Sequence, residues 1–561
     1  MNNQLVFKDY VVFLLYLVLV GSYGYWIYKR RKSKEHDSKA FFLAEGTLTW
    51  YAIGASLIAS NISAEQFIGM SGNGFFVGIA VSAYEWIAAV ALIIIAVWFM
   101  PIYLKNKIYT MPQFLKTRYN ETVAMIMAIL WLFIYVFVNL TSILYLGAIA
   151  IRGLLPADGH DYLHIVMIAL AVFAIFITLG GMKVIGFTDV IQVTVLIVGG
   201  LATSYFAMNK VGGGQGAMHG FDTMIKTAPE HFHMIFSKPS ANSPQVDIDK
   251  YLILPGILMY AAGQWIVNLN YWGCNQYITQ RALGANLNTA RNGLLFAALL
   301  KLIMPLIVML PGIAAYVLMK QGNLPSMEHA NMDHAYSAVL GFLPAGLKGL
   351  SIAALTAAIV ASLAGKVNSI STIYTLDIYR KYINKEASEK RLVWIGRIVA
   401  LSAMIIAILF TWKDVLGISS EGGFTYIQKY TGFISPGVFA MFILGMFWKR
   451  TTGAAAIVGV ITGLVLCIFF NEFAPALTGH ETWLYTAYPN GHGGYEIPFL
   501  ICMGLAFFFT VAIMVLVSLA GPKINPKAFE LDKTMFKLKP QTTALIVIIL
   551  LLLAALYVKF W

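Results

Sequence analysis

Apolar runs long enough to cross a bilayer recur along the whole chain, and this recurrence limits the fold more than any other feature. Each run has roughly 18–27 residues, the length that spans ~30 Å of hydrocarbon. Hydrophobic residues make up 59% of the 561 residues and charged residues 12%, against about 25% charged residues in soluble domains. The sequence therefore predicts an all-α polytopic membrane protein with about fourteen spans, at 10–28, 50–71, 77–103, 122–148, 164–180, 186–207, 251–278, 293–319, 347–377, 392–411, 421–448, 453–471, 495–519 and 543–560.

Basic residues cluster in alternate loops of this predicted topology. The net charge is +13, and the clusters YKRRKSK, KNKIY, RKYINKEASEKR and WKRTTG follow the first, third, ninth and eleventh spans. This is the positive-inside pattern, which predicts that these loops are cytoplasmic. With an even number of spans, both termini are expected outside. The pattern favours a lipid bilayer as partner, in a plasma membrane or bacterial inner membrane, and argues against nucleic acid.

Two predicted spans carry polar side chains at a density that lipid does not tolerate. They contain SNISAEQF at 60–67 and QWIVNLNYWGCNQY at 264–277. Such groups persist at membrane depth when they are buried in protein or line a water-filled cavity. The two segments lie five spans apart and run in opposite directions. Paired broken helices of this kind indicate the binding site of a secondary transporter with inverted repeats, whereas polar contacts between packed helices are the alternative.

Further polar and aromatic residues inside the spans suit a polyhydroxylated ligand. Such a ligand needs several converging donors and acceptors and an aromatic face for its apolar side. Glu65 and Gln66 lie beside the predicted break in the first of these segments. The candidate donors and acceptors are Gln66, Glu85, Asn268, Lys301 and Gln428, and the candidate aromatic faces are Tyr84, Tyr271 and Trp272. A membrane-embedded enzyme is disfavoured, because the loops offer no catalytic carboxylate or metal cluster and the three cysteines lack metal-ligand spacing; no cofactor is expected.

Long motifs of the chain resemble the sodium/solute symporter family. They are GASLIASNISAEQFIGMSGNGF, SAYEW, FVNLTSILYLG, GFTDVIQV, NLNYWGCNQYITQRAL, LLKLIMPLIVMLPGIAAYV and YIQKYTGFISPG. They look most like the family's bacterial sodium/galactose cotransporter and its sodium/glucose cotransporters. The resemblance implies the fold of a bacterial leucine transporter, in which two five-helix repeats are inverted and two helices are discontinuous. It divides the chain into a first helix with a basic loop (1–49), a first repeat (50–207), an outer loop (208–250), a second repeat (251–448) and additional helices (449–561).

The same resemblance assigns roles residue by residue. It implies symport of a monosaccharide with sodium by alternating access, with sugar contacts from Gln66, Glu85, Asn268, Lys301 and Gln428. Asn61 is implied to support the sugar site, Tyr271 to close the inner gate with Trp272 beside it, and Asp189 to lie on the cation exit route. A sugar-contacting serine of the family falls on Ala88, which leaves the identity of the sugar open. Another polyol such as myo-inositol, or a sensor that binds sugar without transporting it, stays an alternative.

The cation site departs from the family pattern at two positions. The resemblance implies that sodium is held by carbonyls of Ala59, Ile62 and Ala358 and by hydroxyls at 361 and 362, but the chain has Ala361 beside Ser362. Lys366 follows one helical turn later, on the same face. Three interpretations stay open. The Lys366 ammonium replaces sodium, so that transport is sodium-independent or coupled to H+; it pairs with Asp189; or it extends into the cytoplasmic vestibule while sodium still binds.

Overall fold

We describe the chain from a computed structural model, which describes residues 5–29, 48–152, 155, 162–240, 243–327, 329–412, 423–491 and 493–561. The basic loop predicted after the first span lies almost wholly outside these residues. Twenty-five α-helices are described, α1 to α25 in chain order: Phe7–Lys29, Trp50–Asn61, Ser71–Phe76, Ala83–Ile94, Met100–Lys105, Met111–Arg118, Glu121–Ile134, Thr141–Arg152, Leu163–Thr178, Gly181–Val211, Ala217–Thr227, Gln245–Ile253, Gly263–Cys274, Gln276–Leu283, Leu287–Val308, Leu310–Lys320, Ala335–Leu340, Leu347–Thr372, Glu389–Thr411, Gly423–Gly432, Ser435–Phe447, Gly453–Ile468, Ala474–Thr478, Phe499–Leu519 and Pro540–Phe560.

Shorter regular segments connect or extend these helices. π-Helical turns occupy Glu65–Met70, Ile95–Phe99, Tyr135–Leu140, Ile373–Ile383 and Phe469–Phe473, and 3-10 turns occupy Ile79–Ser82, Pro229–Phe232, Gly256–Tyr260, His329–His334 and Lys533–Phe536. Two short antiparallel strands, β1 (Tyr488–Pro489) and β2 (Tyr495–Glu496), form a hairpin. A π-helical turn widens the backbone locally and is common near functional positions, and the one at Glu65–Met70 begins within the first polar segment.

The prediction of a polytopic helical membrane protein is confirmed in outline. Within the described residues, eleven helices or joined helices are long and apolar enough to cross a bilayer, and one bent pair would make twelve. The predicted span 251–278 is not one straight helix, because Gln245–Tyr260 and Gly263–Cys274 meet at an angle of 83°. The predicted span 421–448 is divided between Gly432 and Ser435, where Pro436 follows at the start of α21 and lacks the N–H of a continuing helix.

Both segments predicted to be broken are interrupted in the structure. Helix α2 begins after Thr49, whose hydroxyl accepts from the Ala52 N–H at 3.4 Å, and it ends at Asn61 because Ile62 adopts an extended conformation (φ −77°, ψ 107°). Helix α13 ends at Cys274, and extended Asn275 (φ −87°, ψ 128°) separates it from α14. Extended residues cannot continue the helical hydrogen-bond ladder, so each interruption frees backbone groups for other partners.

The chain divides into two compact units that interleave along the sequence. Unit 1 comprises 1–79, 128–232 and 276–426, and unit 2 comprises 80–127, 233–275 and 427–561. Unit 1 is built on the packing of α10 along α18 and of α15 along α2. In unit 2, α22 packs on α24 and α13 packs on α4 and α21. These units follow compactness, so the division into two sequence repeats stays a prediction.

In unit 1, helix α1 is joined to the beginning of α18 by a buried carboxylate. The Asp9 side chain accepts hydrogen bonds from the N–H groups of Gly346 and Gly349 at 2.7 and 3.0 Å, which lie at the start of α18. The N–H groups of a helix's first turn have no partner within the helix and favour a negative charge. A β-carbon on Gly349 would lie 2.3 Å from the Asp9 carbonyl oxygen, so glycine permits this close approach. Asp9 therefore caps α18 from another helix.

In unit 2, a buried arginine fixes the end of α21. The Arg118 guanidinium donates to the carbonyl oxygens of Gly445, Trp448 and Thr451 at 2.6, 3.1 and 3.0 Å. The last carbonyl groups of a helix have no partner within it, and a cation there is favourable. Arg118 thus satisfies the carboxyl end of α21 and has a structural role.

Candidate substrate and cation site

The interruption after α2 is held open by the side chain of Gln66. Its Oε1 accepts from the Ser63 N–H at 2.9 Å and from the Ser63 hydroxyl at 3.1 Å. In a continuous α-helix the Ser63 N–H would bond to the carbonyl of Ala59. Gln66 takes over that N–H, which releases the Ala59 carbonyl from the helical ladder. A residue assigned to sugar contact therefore also shapes the backbone that the resemblance assigns to the cation.

A buried lysine from α15 meets the last residue of α2. The Lys301 ammonium donates a hydrogen bond to Oδ1 of Asn61, and both side chains are buried. An ammonium inside an apolar helix bundle needs oxygen partners, because an unpaired charge there is costly. Both residues belong to unit 1. The structure thus brings together two of the residues that the sequence assigned to the substrate site.

The other substrate and gate candidates lie in unit 2. Asn268 on α13 donates to the Gln264 carbonyl at 2.9 Å, and Glu85 lies in the first turn of α4, the helix that packs on α13. The ring centres of Tyr271 and Trp272 lie 5.2 Å apart in a T-shaped, edge-to-face contact. Of the remaining candidates, Tyr84 and Ala88 are buried and Gln428 is half-buried. The candidate residues are thus divided between the units, with Asn61, Gln66 and Lys301 in unit 1 and the others in unit 2, and their joint role in substrate binding stays a prediction.

The expected cation residues of unit 1 lie where α18 packs against α2. Ser362 donates its hydroxyl to the carbonyl of Ser60 at 3.1 Å, and Ala358 and Ala361 are buried beside it along α18. Ile62 is the extended residue at the interruption. The serine hydroxyl therefore bonds directly to the backbone next to the interruption, and the neighbouring position offers a methyl group where the family pattern has a second hydroxyl.

Lys366 lies one turn after Ser362 on α18, and its ammonium pairs with Glu65. Its Nζ lies 3.6 Å from Oε1 of Glu65 and 5.0 Å from the centre of the Tyr277 ring. The exposed fraction is 2% for Lys366 and 7% for Glu65, so the ammonium does not extend into solvent. Glu65 begins the π-helical turn that follows the interruption. The pair therefore joins α18 to the segment just beyond the break.

Asp189 has a different cationic neighbour. Its Oδ2 accepts a hydrogen bond from the Ser56 hydroxyl and lies 3.9 Å from Nη2 of Arg281. The Arg281 Nε donates to the carbonyl and hydroxyl oxygens of Ser56 at 3.0 and 2.8 Å. The interpretation that Lys366 pairs with Asp189 is therefore wrong, because Arg281 from α14 occupies that role. Asp189 sits within a buried network of α2, α10 and α14.

Gly365 leaves room for the Arg281 guanidinium beside Lys366. A β-carbon on Gly365 would lie 2.4 Å from Nη2 of Arg281 and 3.1 Å from the Ser60 hydroxyl. Gly365 directly precedes Lys366, so the helix surface beside the lysine is open enough for the guanidinium. Two cations and two carboxylates thus lie in this part of unit 1 as two opposite-charge pairs.

Sequence reasoning noted Glu65 without a role and missed Arg281, Tyr277, Ser56 and Ser60. Arg281 lies just after the predicted span 251–278, so its burial was not expected from the sequence. The serines carried no signal, because hydroxyl groups are common in membrane helices.

The family model of the sodium:solute symporters matches residues 41–463, three quarters of the chain. The chain belongs to the sodium:solute symporter family. Among curated relatives, it is 41% identical to the sodium/glucose cotransporter of Vibrio parahaemolyticus over 100% of this chain and 99% of that protein. It is 35% identical to human sodium/myo-inositol cotransporter 2 over 82% of this chain and 69% of that protein. Sheep sodium/glucose cotransporter 1 is 30% identical over 83% of this chain and 72% of that protein.

A solved structure of a Na+-coupled sialic acid symporter, in a substrate-bound outward-open state, has a similar fold. The TM-score is 0.76, and the match covers 93% of this chain and 99% of that one at 20% sequence identity. At this identity the likeness concerns the fold alone. The sequence-based assignment to the sodium/solute symporter family is thereby confirmed, and the family is one of sodium-coupled transporters.

Proposed function

We propose that this symporter carries a monosaccharide of the galactose or glucose type across a plasma membrane by alternating access, coupled to a cation. Gln66, Glu85, Asn268, Lys301 and Gln428 contact the sugar, and Tyr271 with Trp272 forms the inner gate. Rocking of one helical bundle against the other exposes the bound sugar to the cytoplasm. The protein sits in the membrane with both termini outside.

The hydrogen bond from Lys301 to Asn61 is the observation that carries the proposal. It places a buried ammonium at the last residue of α2, and the Oε1 of Gln66 bonds to Ser63 within the same interruption. An ammonium donates hydrogen bonds and an amide both donates and accepts them, which are the groups that a polyhydroxylated ligand needs. Full-length similarity to a sodium/glucose cotransporter supports the sugar as that ligand.

A cyclic polyol is the second candidate substrate. Relatives in this family include the human sodium/myo-inositol cotransporter 2 at 35% identity. Ala88 stands where the resemblance expects a sugar-contacting serine, and a missing hydrogen bond there costs about 0.5–1.5 kcal/mol. A ring whose hydroxyl is absent or turned away at that point loses no hydrogen bond, so Ala88 leaves the choice between these sugars and a cyclic polyol open.

Uptake into proteoliposomes tests the proposal. The full-length protein is reconstituted, and entry of labelled galactose, glucose and myo-inositol is measured with unlabelled competitors. We expect saturable uptake of at least one of them, strongly reduced in Lys301→Met and unchanged in Lys348→Met, a half-buried lysine at the beginning of α18. Saturable binding without uptake would identify a sensor, and absence of both for all three compounds would overturn the proposal.

A further inference from the structure

The residues at the expected sodium position do not fit the family's ligand set. A desolvated cation needs oxygen ligands in place of its water shell. Ala361 offers a methyl group, and the Ser362 hydroxyl donates its hydrogen to the Ser60 carbonyl at 3.1 Å. Of the two hydroxyl ligands that the family pattern supplies, one is absent and the other is bonded to the backbone of α2. The Ser362 oxygen keeps its lone pairs while it donates, but a sodium ion here would lack the oxygen ligand that is missing at Ala361.

A positive charge belonging to the chain itself lies next to this position. Lys366 Nζ is 3.6 Å from Glu65 Oε1, and both side chains are buried in unit 1. The pair joins α18 to the turn after the interruption, and the backbone of these same two regions supplies the expected cation ligands. A sodium ion would bring one positive charge between them, and the ammonium brings one as well.

The neighbouring charged groups have other partners, so Lys366 and Glu65 pair with each other. Arg281 faces it from α14 and is engaged by Asp189 and Ser56, while Tyr277 covers the ammonium with its ring. Removing one member of a buried ion pair leaves the other charge uncompensated, which is strongly unfavourable. The Glu65 carboxylate is therefore stabilised by a neighbouring cation, and Lys366 supplies one from within the chain.

We propose that Lys366 is the resident cation of this site. Its ammonium compensates Glu65 and links α18 to the interrupted helix, so that substrate binding and transport do not require sodium at this position. The inference rests on the proposed function for its transport consequence, whereas its consequence for sodium binding can be measured without any sugar.

The first test measures sodium-dependent thermal unfolding of the purified full-length protein in sodium chloride and in choline chloride. A ligand that binds only the folded state raises the unfolding temperature. We expect equal unfolding temperatures in both salts for the natural protein. The variant Lys366→Met/Ala361→Ser, which restores the hydroxyl and leaves Glu65 without its cation, should be stabilised by sodium. Lys348→Met/Ala361→Ser is the matched control and should show no stabilisation.

The second test repeats the comparison with proteoliposome uptake. Uptake by the natural protein should be the same with and without a sodium gradient, and uptake by Lys366→Met/Ala361→Ser should rise at least about fivefold with sodium, the lower range of couplings between binding sites. If no sugar is taken up at all, the proposed function fails while the unfolding test still judges the inference.

A charge-free pair keeps the inference testable if the double variant does not fold. Glu65→Gln/Lys366→Met removes both charges, and such replacements are often tolerated. This variant should fold and stay insensitive to sodium, because no carboxylate remains to be compensated. Sodium stabilisation or sodium-stimulated uptake of the natural protein, or sodium sensitivity of the charge-free variant, would overturn the inference.

Discussion

The Lys301 ammonium on α15 donates a hydrogen bond to the Asn61 side chain at the last residue of α2. The contact places a charged donor at the point where the helix gives up its own hydrogen bonds. Asn61 is thereby oriented by a residue 240 positions later in the chain. The substrate-binding role of either residue should therefore depend on the other.

A double-mutant cycle tests this dependence. A net hydrogen bond to a charged group contributes about 1.5–3 kcal/mol, so Lys301→Met and Asn61→Ala should each weaken sugar binding by about tenfold or more. The double variant should bind only slightly more weakly than the single variants, because both changes remove one interaction. Equilibrium binding of labelled sugar measures the effect. Fully additive losses would show that the two side chains act separately.

Gln66 should contribute to stability even without a substrate. In Gln66→Ala the Ser63 N–H loses its acceptor. The loss is comparable to that of a helix cap, which lowers the free energy of unfolding by about 0.5–2 kcal/mol. The unfolding temperature of Gln66→Ala should fall in the absence of sugar. Gln66→Glu keeps an oxygen acceptor at the same reach and serves as the matched variant, with an unfolding temperature closer to that of the natural protein. Equal unfolding temperatures for all three proteins would contradict this role.

Gly365 should tolerate no side chain. Its added β-carbon would lie 2.4 Å from Arg281 Nη2, and that guanidinium is held by Ser56 and Asp189. Overpacking of this kind typically costs about 1–3 kcal/mol. Gly365→Ala should therefore lower the unfolding temperature, whereas Gly21→Ala on α1, where no atom lies within 4 Å, should leave it unchanged or raise it. A Gly365→Ala variant as stable as the natural protein would refute the packing described here.

Glu230 lies outside the membrane spans, and protonation of its carboxylate in acid should lower the stability of the protein. Its carboxylate accepts hydrogen bonds from Lys320 at 2.9 Å and from Tyr316 at 3.3 Å. Partial burial acts to raise the pKa of Glu230, the hydrogen bond from Lys320 lowers it, and the net shift of this pKa is downward. Because the pKa in the unfolded chain is higher, about 4.3, Glu230 stabilises the fold above that pH. This contribution is lost as pH falls through the lower pKa of the folded protein.

Thermal unfolding between neutral and acid pH measures this contribution. The unfolding temperature of the natural protein should fall more steeply below about pH 5 than that of Glu230→Gln, which has no carboxylate to protonate. Glu481→Gln removes an exposed carboxylate and is the control; its profile should follow the natural protein. Parallel profiles for the natural protein and Glu230→Gln would rule out the effect.

The interruptions could be read from the sequence because polar density inside a membrane span is a local property. Residues 60–67 and 264–277 marked both breaks, and the structure places the extended residues Ile62 and Asn275 within them. The 83° bend before Gly263 was missed, since the residues around it are as apolar as a continuous span. Local composition indicates whether a membrane helix can continue, but it does not indicate the angle between two successive helices.

The partner of Lys366 could not be chosen from the sequence. Glu65 and Asp189 were both available carboxylates, and the choice depends on how far α2, α10 and α18 are shifted along one another. The packing of α14 decides it, because Arg281 reaches Asp189 and leaves Glu65 to the lysine. Which side chains of distant segments pair depends on how the helices are shifted along one another. The local sequence of each helix does not determine that shift.

The capping of α18 by Asp9 means that the first helix is mechanically part of the transport machinery. Gly346 and Gly349 share one carboxylate with α1, and the opposite half of α18 carries Ser362 and Lys366. A displacement of α18 during a transport cycle would drag α1 with it or break two buried hydrogen bonds to a charge. Helices α1 and α18 therefore move together for as long as these two hydrogen bonds persist.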